Sequence, residues 1–456
     1  MSLLQHQTAM WDSLFPRRLD TSSIGRWIFP QLSVLGHWSF NQLSVLYTQQ
    51  DCSMQSNSQN AHLHHVVQEF QQLIESDPEI FMYFHKMFEE VRRPTNDVNQ
   101  VGTIFWYESS LPTQQKIQDY RDFMMVLNQV ITQAPQFGGI NNLVIGVPIY
   151  AVLAPFCNTP SGYNAFVNPK VNAHFQKFFD VWARFLVSPA SRYVLTTGEK
   201  CWFSSEALNT MAERLEASFY DSWICRNDDP EKHYGFTSWD DFFTRRFRPG
   251  MRPVLDPDNS NLVAAACEAT VHVIQPNIRA VDTFWIKGHS YSLSHMFDHD
   301  PLIPQFVGGT IYQGILSSLD YHRWHSPVDG VVKKAYLIPG TYYAARLDND
   351  FDPDVVSRSQ DFVTNIATRA LIFIESDNPA IGLMCFVGVG LGEVSTCEIS
   401  VRVGARLKKG DSIGTFHFGG STHCLVFRPQ TCLKPLPHVV PGSLQKVNSN
   451  IFCIDN

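Results

Sequence analysis

Residues 413–422 read Ile413-Gly414-Thr415-Phe416-His417-Phe418-Gly419-Gly420-Ser421-Thr422. An apolar run ends in two glycines, a serine and a threonine. A Gly-Ser bond ahead of a Thr is where a chain can cut itself. The Ser421 hydroxyl attacks the Gly420 carbonyl, and an N-to-O acyl shift gives an ester. β-Elimination leaves a dehydroalanine, which hydrolyses to a pyruvoyl group. That group is a built-in ketone, able to condense with an amine and to take up electrons. Glycine suits the site because the carbonyl must be approached closely and the local backbone can hold strain. Taken alone, the same four residues also read as an ordinary turn.

Upstream stands Asp320-Tyr321-His322-Arg323-Trp324-His325-Ser326-Pro327-Val328-Asp329-Gly330. Two histidines three apart, with Pro and Gly just after, fit a strand end or tight turn. Histidine is the side chain most suited to moving protons near neutral pH. The alternative is two surface or metal-binding histidines; no Cys or Glu sits at ligand spacing beside them. Asp348, Asp350, Asp352 and Asp354 alternate as Ca²⁺ ligands can, but an EF-hand's Gly and closing Glu are absent and Pro353 interrupts, so the run reads as a solvated loop. His62, His64 and His65 read as a helix start rather than a metal site. No resident metal is expected.

The chain has 456 residues and a net charge of −8, with charged residues at 17%. No basic stripe exists to hold nucleic acid or anionic lipid. Ten cysteines without a CxxC read as reduced, mostly buried thiols. A spanning helix needs about 20 apolar residues. The longest apolar stretch, Ile381 to Leu391, is glycine-rich and reads as a buried strand or hairpin. Met1 to Phe15 carries Gln5, His6, Gln7 and Asp12 and is no signal peptide. A soluble, cytoplasmic protein is expected.

Periodicity divides the chain. Residues up to about 60 are irregular, and Gln49 to Asn60 reads as a polar linker. Ser76-Asp77-Pro78 is a helix start, followed by Ile80, Phe84, Met87, Phe88 and Val91 at helical spacing. Thr113 opens another helix, with Ile117, Tyr120, Met124, Leu127 and Ile131 on one face. A third runs from Val171 to Leu186 with Phe175, Phe178, Phe179, Trp182 and Phe185. Such stripes predict a helical core. From Leu262 onward short β-type runs follow: Val271 to Ile274, Gly330 to Leu337, Leu371 to Ile374 and Cys397 to Val403. The class is α+β, with an irregular segment over 1–61, a helical domain over 62–232 and a β-rich catalytic domain over 233–456.

The histidine block and the Gly-Ser-Thr site together resemble the phosphatidylserine decarboxylase family. Trp239 to Pro253, with its Phe242-Phe243-Thr244-Arg245 and Pro249-Gly250-Met251-Arg252-Pro253, is similar to another family motif. So are Ile286-Lys287-Gly288-His289-Ser290-Tyr291-Ser292-Leu293 and Lys408-Lys409-Gly410-Asp411-Ser412-Ile413-Gly414. Several ordered motifs are a far stronger signal than one. The sequence departs at Ala265-Ala266-Cys267-Glu268-Ala269-Thr270, where Glu268 replaces the family's Asp and Ala269 its Gly. The family's hydrophobic N-terminal anchor is missing. The helical half looks like that of a tryptophan-decarboxylating branch, from which Thr422-His423-Cys424 departs.

The resemblance implies a self-processing decarboxylase with a pyruvoyl cofactor made from Ser421 and no PLP. Cleavage between Gly420 and Ser421, supported by Gly419 and Thr422, would give a large and a small subunit. His325 would deprotonate Ser421, with Glu268 within hydrogen-bond reach to orient it. His322 would serve the decarboxylation step. The implied substrate is an aromatic L-amino acid, tryptophan first, with phosphatidylserine as the alternative. A non-catalytic binding scaffold is the third reading.

Overall fold

Asp77 ends one helix and starts the next. Its backbone N–H bonds the Leu73 carbonyl of α1 (His65–Ser76). Its Oδ1 accepts from the N–H groups of Glu79 and Ile80 at 3.1 and 3.3 Å, opening α2 (Pro78–Arg92). The computed structural model describes residues 63–92, 117–138, 146–282, 291–346, 359–393, 395–419 and 421–455. All of these lie in one unit, Gln49–Asn456.

The expected helical stripes are buried. Ile80, Phe84, Met87, Phe88 and Val91 line the inner side of α2. The next described helix, α3 (Tyr120–Val130), starts where the Asp119 carboxylate accepts from the Arg121 and Asp122 N–H groups and caps it; the expected start at Thr113 lies outside the described residues. Two helices not foreseen follow, α4 (Pro148–Cys157) and α5 (Pro160–Val167). Then α6 (Pro169–Leu186) starts at the Asn168 cap and buries Phe175, Phe178, Phe179 and Trp182. A further helix, α7, spans Ser205–Leu215.

The β-rich part holds an eight-stranded sheet in the order β13-β2-β3-β11-β7-β6-β5-β9. Its strands are β2 (Ala269–Pro276), β3 (Thr310–Leu316), β5 (Gly330–Ile338), β6 (Arg369–Ser376), β7 (Leu383–Gly390), β9 (Arg406–Leu407), β11 (Ser421–Phe427) and β13 (Leu444–Gln445). A second sheet is built from β4 (Arg323–His325), β8 (Thr396–Ile399) and β10 (Ser412–His417) in the order β4-β10-β8, and a third from β1 (Leu262–Ala264), β12 (Leu433–Pro435) and β14 (Asn450–Ile454) in the order β1-β14-β12. The run expected to reach Val403 stops at Ile399. The expected buried strand inside Ile381 to Leu391 is β7, buried along its whole length.

β11 lies between β3 and β7 and is buried at every residue. Leu425 and Phe427 face one core with Tyr312, Trp324, Phe386 and Phe416. Cys424 and Val426 face the opposite core with Tyr291, Val387 and Val389. The helical core extends into the β-rich part through Tyr321, Tyr343 and Phe418. Among the described residues no helix is long and apolar enough to cross a membrane.

Candidate active site

Ser421 is the first residue of β11, fully buried, and its Oγ has no hydrogen-bond partner. Three residues before it, Phe418 takes φ +68°, a left-handed conformation in a bulky residue. Such backbone strain costs about 1–3 kcal/mol and persists only where packing enforces it. Here Phe418 is held in the helical core. A Cβ on Gly419 would come within 2.3 Å of the Glu393 carbonyl oxygen, so that position admits only glycine without a shift. Gly420 lies outside the described residues.

The residue after Ser421 is tied down. Thr422 Oγ1 donates to the Gly314 carbonyl (2.9 Å) and accepts from Gln313 Nε2 (3.0 Å). Gln313 Oε1 in turn accepts from Tyr291 O–H. Glu393, beside Gly419, accepts from the Tyr150 N–H at the start of α4 and from Tyr343 O–H, each at 2.7 Å. Burial pushes its carboxyl up to about 7.

His322 precedes β4. Its ring is fully buried, lies 3.9 Å from Phe243 in a stacked arrangement, and neither nitrogen has a hydrogen-bond partner. Burial, helped by the Arg245 guanidinium, holds its pKa well below the ordinary value, so the ring is neutral. The preceding Asp320 is buried and paired with Arg214 of α7, with Nη2 donating to Oδ2 at 2.7 Å. The helical half thus fixes the start of the histidine block.

His325 has both ring nitrogens engaged. Nδ1 lies 2.7 Å from the Gly410 carbonyl and Nε2 lies 2.9 Å from Tyr321 Oη. A carbonyl only accepts, so Nδ1 carries the proton and Nε2 accepts from the tyrosine. Burial lowers its pKa.

The expected contact between Glu268 and His325 is not formed. Glu268 is buried, and its carboxylate accepts from Arg252 Nη2 at 2.6 Å and Nε at 3.0 and 3.2 Å. It also accepts from the Val447 N–H at 2.9 Å. A buried carboxylate takes the nearest forked cation that can neutralise it; here that is the Arg252 of Pro249-Gly250-Met251-Arg252-Pro253. Arg252 and His325 line one cleft of about 360 Å³, together with Arg246, Arg248 and Arg323. Glu268 therefore stands one residue removed from His325.

Asp348, Asp350, Asp352 and Asp354 lie outside the described residues, as does His62. His64 caps α1, with Nδ1 accepting from the Val66 N–H at 3.4 Å. Sequence reasoning did not single out Gln313 or Glu393; His423 entered it only within the departing Thr422-His423-Cys424, and counting two along the strand from Ser421 puts it on the same face.

Ser421 is thus a buried serine whose hydroxyl has no partner, three residues after a strained Phe418. The comparisons define the class of protein around it. Models of phosphatidylserine decarboxylase match residues 64–211 and residues 239–452. The chain is 43% identical over 316 residues to decarboxylase iboD of Amanita muscaria, covering 67% of this chain and 90% of that protein. It is 35% identical over 406 residues to the L-tryptophan decarboxylase of Psilocybe cubensis, covering 85% of this chain and 86% of that one. Phosphatidylserine decarboxylase proenzyme 3 of Schizosaccharomyces pombe is 32% identical over 195 residues, 43% of this chain and 19% of the yeast protein. The protein is a decarboxylase, a carboxy-lyase. It belongs to the phosphatidylserine decarboxylase family, as the motifs implied.

Proposed function

We propose that this chain is a self-processing, pyruvoyl-dependent decarboxylase of an aromatic L-amino acid, with L-tryptophan converted to tryptamine and CO2. The observation that carries the reading is the similarity to L-tryptophan decarboxylases along both halves of the chain, 85% of its length. The site supports it. The helical core holds Phe418 and Tyr321 next to the cleavage segment and the histidine block. We infer that the helical half covers the mouth of the site, which favours a small, flat, apolar amino acid over a lipid with two acyl chains.

Ser421 is the proposed source of the pyruvoyl group, leaving residues 1–420 and 421–456 as the two subunits. That group supplies the carbonyl that takes up the electrons left when CO2 departs. His322 is proposed to relay the proton to the substrate carbon: its neutral ring gives up its N–H proton as the other nitrogen accepts one from water. His325 is proposed as the base that takes the Ser421 proton during maturation, which requires its Nε2 to leave Tyr321. Glu268 supports that machinery through Arg252, which shares the cleft with His325.

One observation favours phosphatidylserine as a second reading. Arg246, Arg248, Arg252 and Arg323 surround the cleft beside His325, a cationic setting that suits a phosphodiester. The test is direct. Purified full-length protein, without detergent, is offered each of the twenty amino acids and phosphatidylserine vesicles, and CO2 release is measured beside a denaturing gel. Two fragments with turnover of tryptophan are expected. Turnover of phosphatidylserine alone overturns the amino acid reading, and a single uncut band without turnover favours a scaffold.

A further inference from the structure

His423 stands two residues beyond Ser421 on β11. The two-residue period of a strand puts both side chains on one face, with Cα atoms roughly 6–7 Å apart. The His423 ring lies 5.9 Å from Phe386, nearly parallel to it, and 5.7 Å from Tyr312. Gly314 pairs directly opposite, and a Cβ there would come within 2.9 Å of His423 Cε1. The position is thus shaped around an imidazole.

That imidazole has no bonding partner. It is 1% exposed, and neither Nδ1 nor Nε2 completes a hydrogen bond. The Gly314 carbonyl, which accepts from Thr422 Oγ1, also lies near the ring, but the geometry falls short of a hydrogen bond to it. Burial lowers the ring's pKa to about 3, so it is neutral and presents one donor and one acceptor. Leaving both unmet in a core destabilises a fold, whereas valine or leucine at the same place would not. His423 therefore finds its partner in a state other than the uncut chain. Ser421 Oγ, on the same strand face, is also without a partner.

We propose that His423 is a specificity-determining residue: after cleavage its ring forms the wall of the substrate pocket and hydrogen-bonds a heteroatom on the substrate's aromatic ring, such as an indole N–H. Phe386 and Tyr312 flank that position and make its surroundings aromatic. The substrate's amine is held at residue 421, so a side chain directed along the strand reaches residue 423. The inference rests on the aromatic amino acid reading above and assigns its recognition group.

The test uses full-length His423→Val and His423→Asn. Cutting is read on a denaturing gel, and carbonyl content by titration with a hydrazine. Ring recognition is read separately by calorimetry with 3-indolepropionate and 3-phenylpropionate, which lack the amine. Both variants are expected to cut and to carry the carbonyl as the parent does. His423→Val should lower indolepropionate affinity about tenfold, leave phenylpropionate unchanged, and cut the tryptophan-over-phenylalanine ratio in kcat/KM by a similar factor. His423→Asn, which keeps a donor and an acceptor, should recover part of the loss. Unchanged affinities and ratio would overturn the inference while leaving the tryptophan reading intact. Two uncut variants would overturn it by assigning His423 to maturation. A parent enzyme that acts on no aromatic amino acid sinks the reading and the inference together.

Discussion

Glu268→Gln distinguishes a residue that orients a base from one that neutralises an arginine. The Glu268 and Arg252 side chains are 2% and 8% exposed, with Nη2 and Oε1 2.6 Å apart. Glutamine keeps an acceptor for the Val447 N–H but removes the charge facing Arg252. Arg252 also donates to the Met251 carbonyl at 3.2 Å and lies over the Phe247 ring at 4.8 Å. Neither contact cancels its charge. Removing one partner of a buried ion pair costs about 3–5 kcal/mol. Arg252 borders the cleft, so water can reach it as it relaxes; the low end, about 3 kcal/mol, is expected.

The measurement is urea unfolding in a Ser421→Ala background, where no cutting complicates the transition. Arg252→Met should cost a similar amount, because it strands Glu268 instead. Glu268→Leu combined with Arg252→Met should recover most of the loss, since apolar replacements of buried pairs are often neutral. In the Ser421 chain, the two single variants should slow cutting to a similar degree, through the shared cleft wall. The reasoning fails if Glu268→Gln unfolds within about 0.5 kcal/mol of its parent while slowing cutting by 10²-fold or more, the scale of losing a general base. Glu268 would then act on His325 directly.

Ser421→Ala should abolish both cutting and turnover, and intact mass spectrometry of the purified chain reads the first without an activity assay. His322→Ala is expected to cut normally yet lose about 10²–10⁴-fold in kcat; if it fails to cut while His325→Ala still cuts, the two histidines exchange roles. Glu393 gives a pH dependence. Its carboxyl titrates near 4.5 when unfolded and at about 7 when folded, so the folded chain binds the extra proton between those values. Stability therefore falls as pH rises through that window and is flat above it, by about 3 kcal/mol in all. Glu393→Gln should erase this slope in urea unfolding between pH 5 and 8; an unchanged slope removes Glu393 as its source.

The helices that were legible in the sequence are the amphipathic ones. Phe175, Phe178, Phe179 and Trp182 mark α6 because its other face carries Lys177, Asp180 and Arg184. α4 was missed because Pro148-Ile149-Tyr150-Ala151-Val152-Leu153-Ala154-Pro155-Phe156-Cys157 is apolar all round and holds a proline inside. A helix without a polar face leaves no period to count, and Pro155 reads as a breaker. Strand positions were legible, but their order was not: β3, β11 and β7 are adjacent in the sheet and far apart in sequence.

The same limit governed the site. Ser421 and the two histidines could be proposed from sequence because their chemistry is local to a motif. The partner of Glu268 was not, because a buried carboxylate's choice of cation depends on which chain segment the fold lays beside it. Arg252 lies sixteen residues upstream, in a motif read only for its family resemblance. Once folded, the forked guanidinium satisfies three of the carboxylate's contacts, and the Val447 N–H supplies a fourth. Nothing then remains with which Glu268 could hold His325. The histidine instead takes its orientation from a neutral pair, the Gly410 carbonyl and Tyr321. A base held by neutral groups can be released at less electrostatic cost than one tied to a buried charge. The maturation proposed above asks this of His325, whose Nε2 would exchange Tyr321 for the Ser421 hydroxyl.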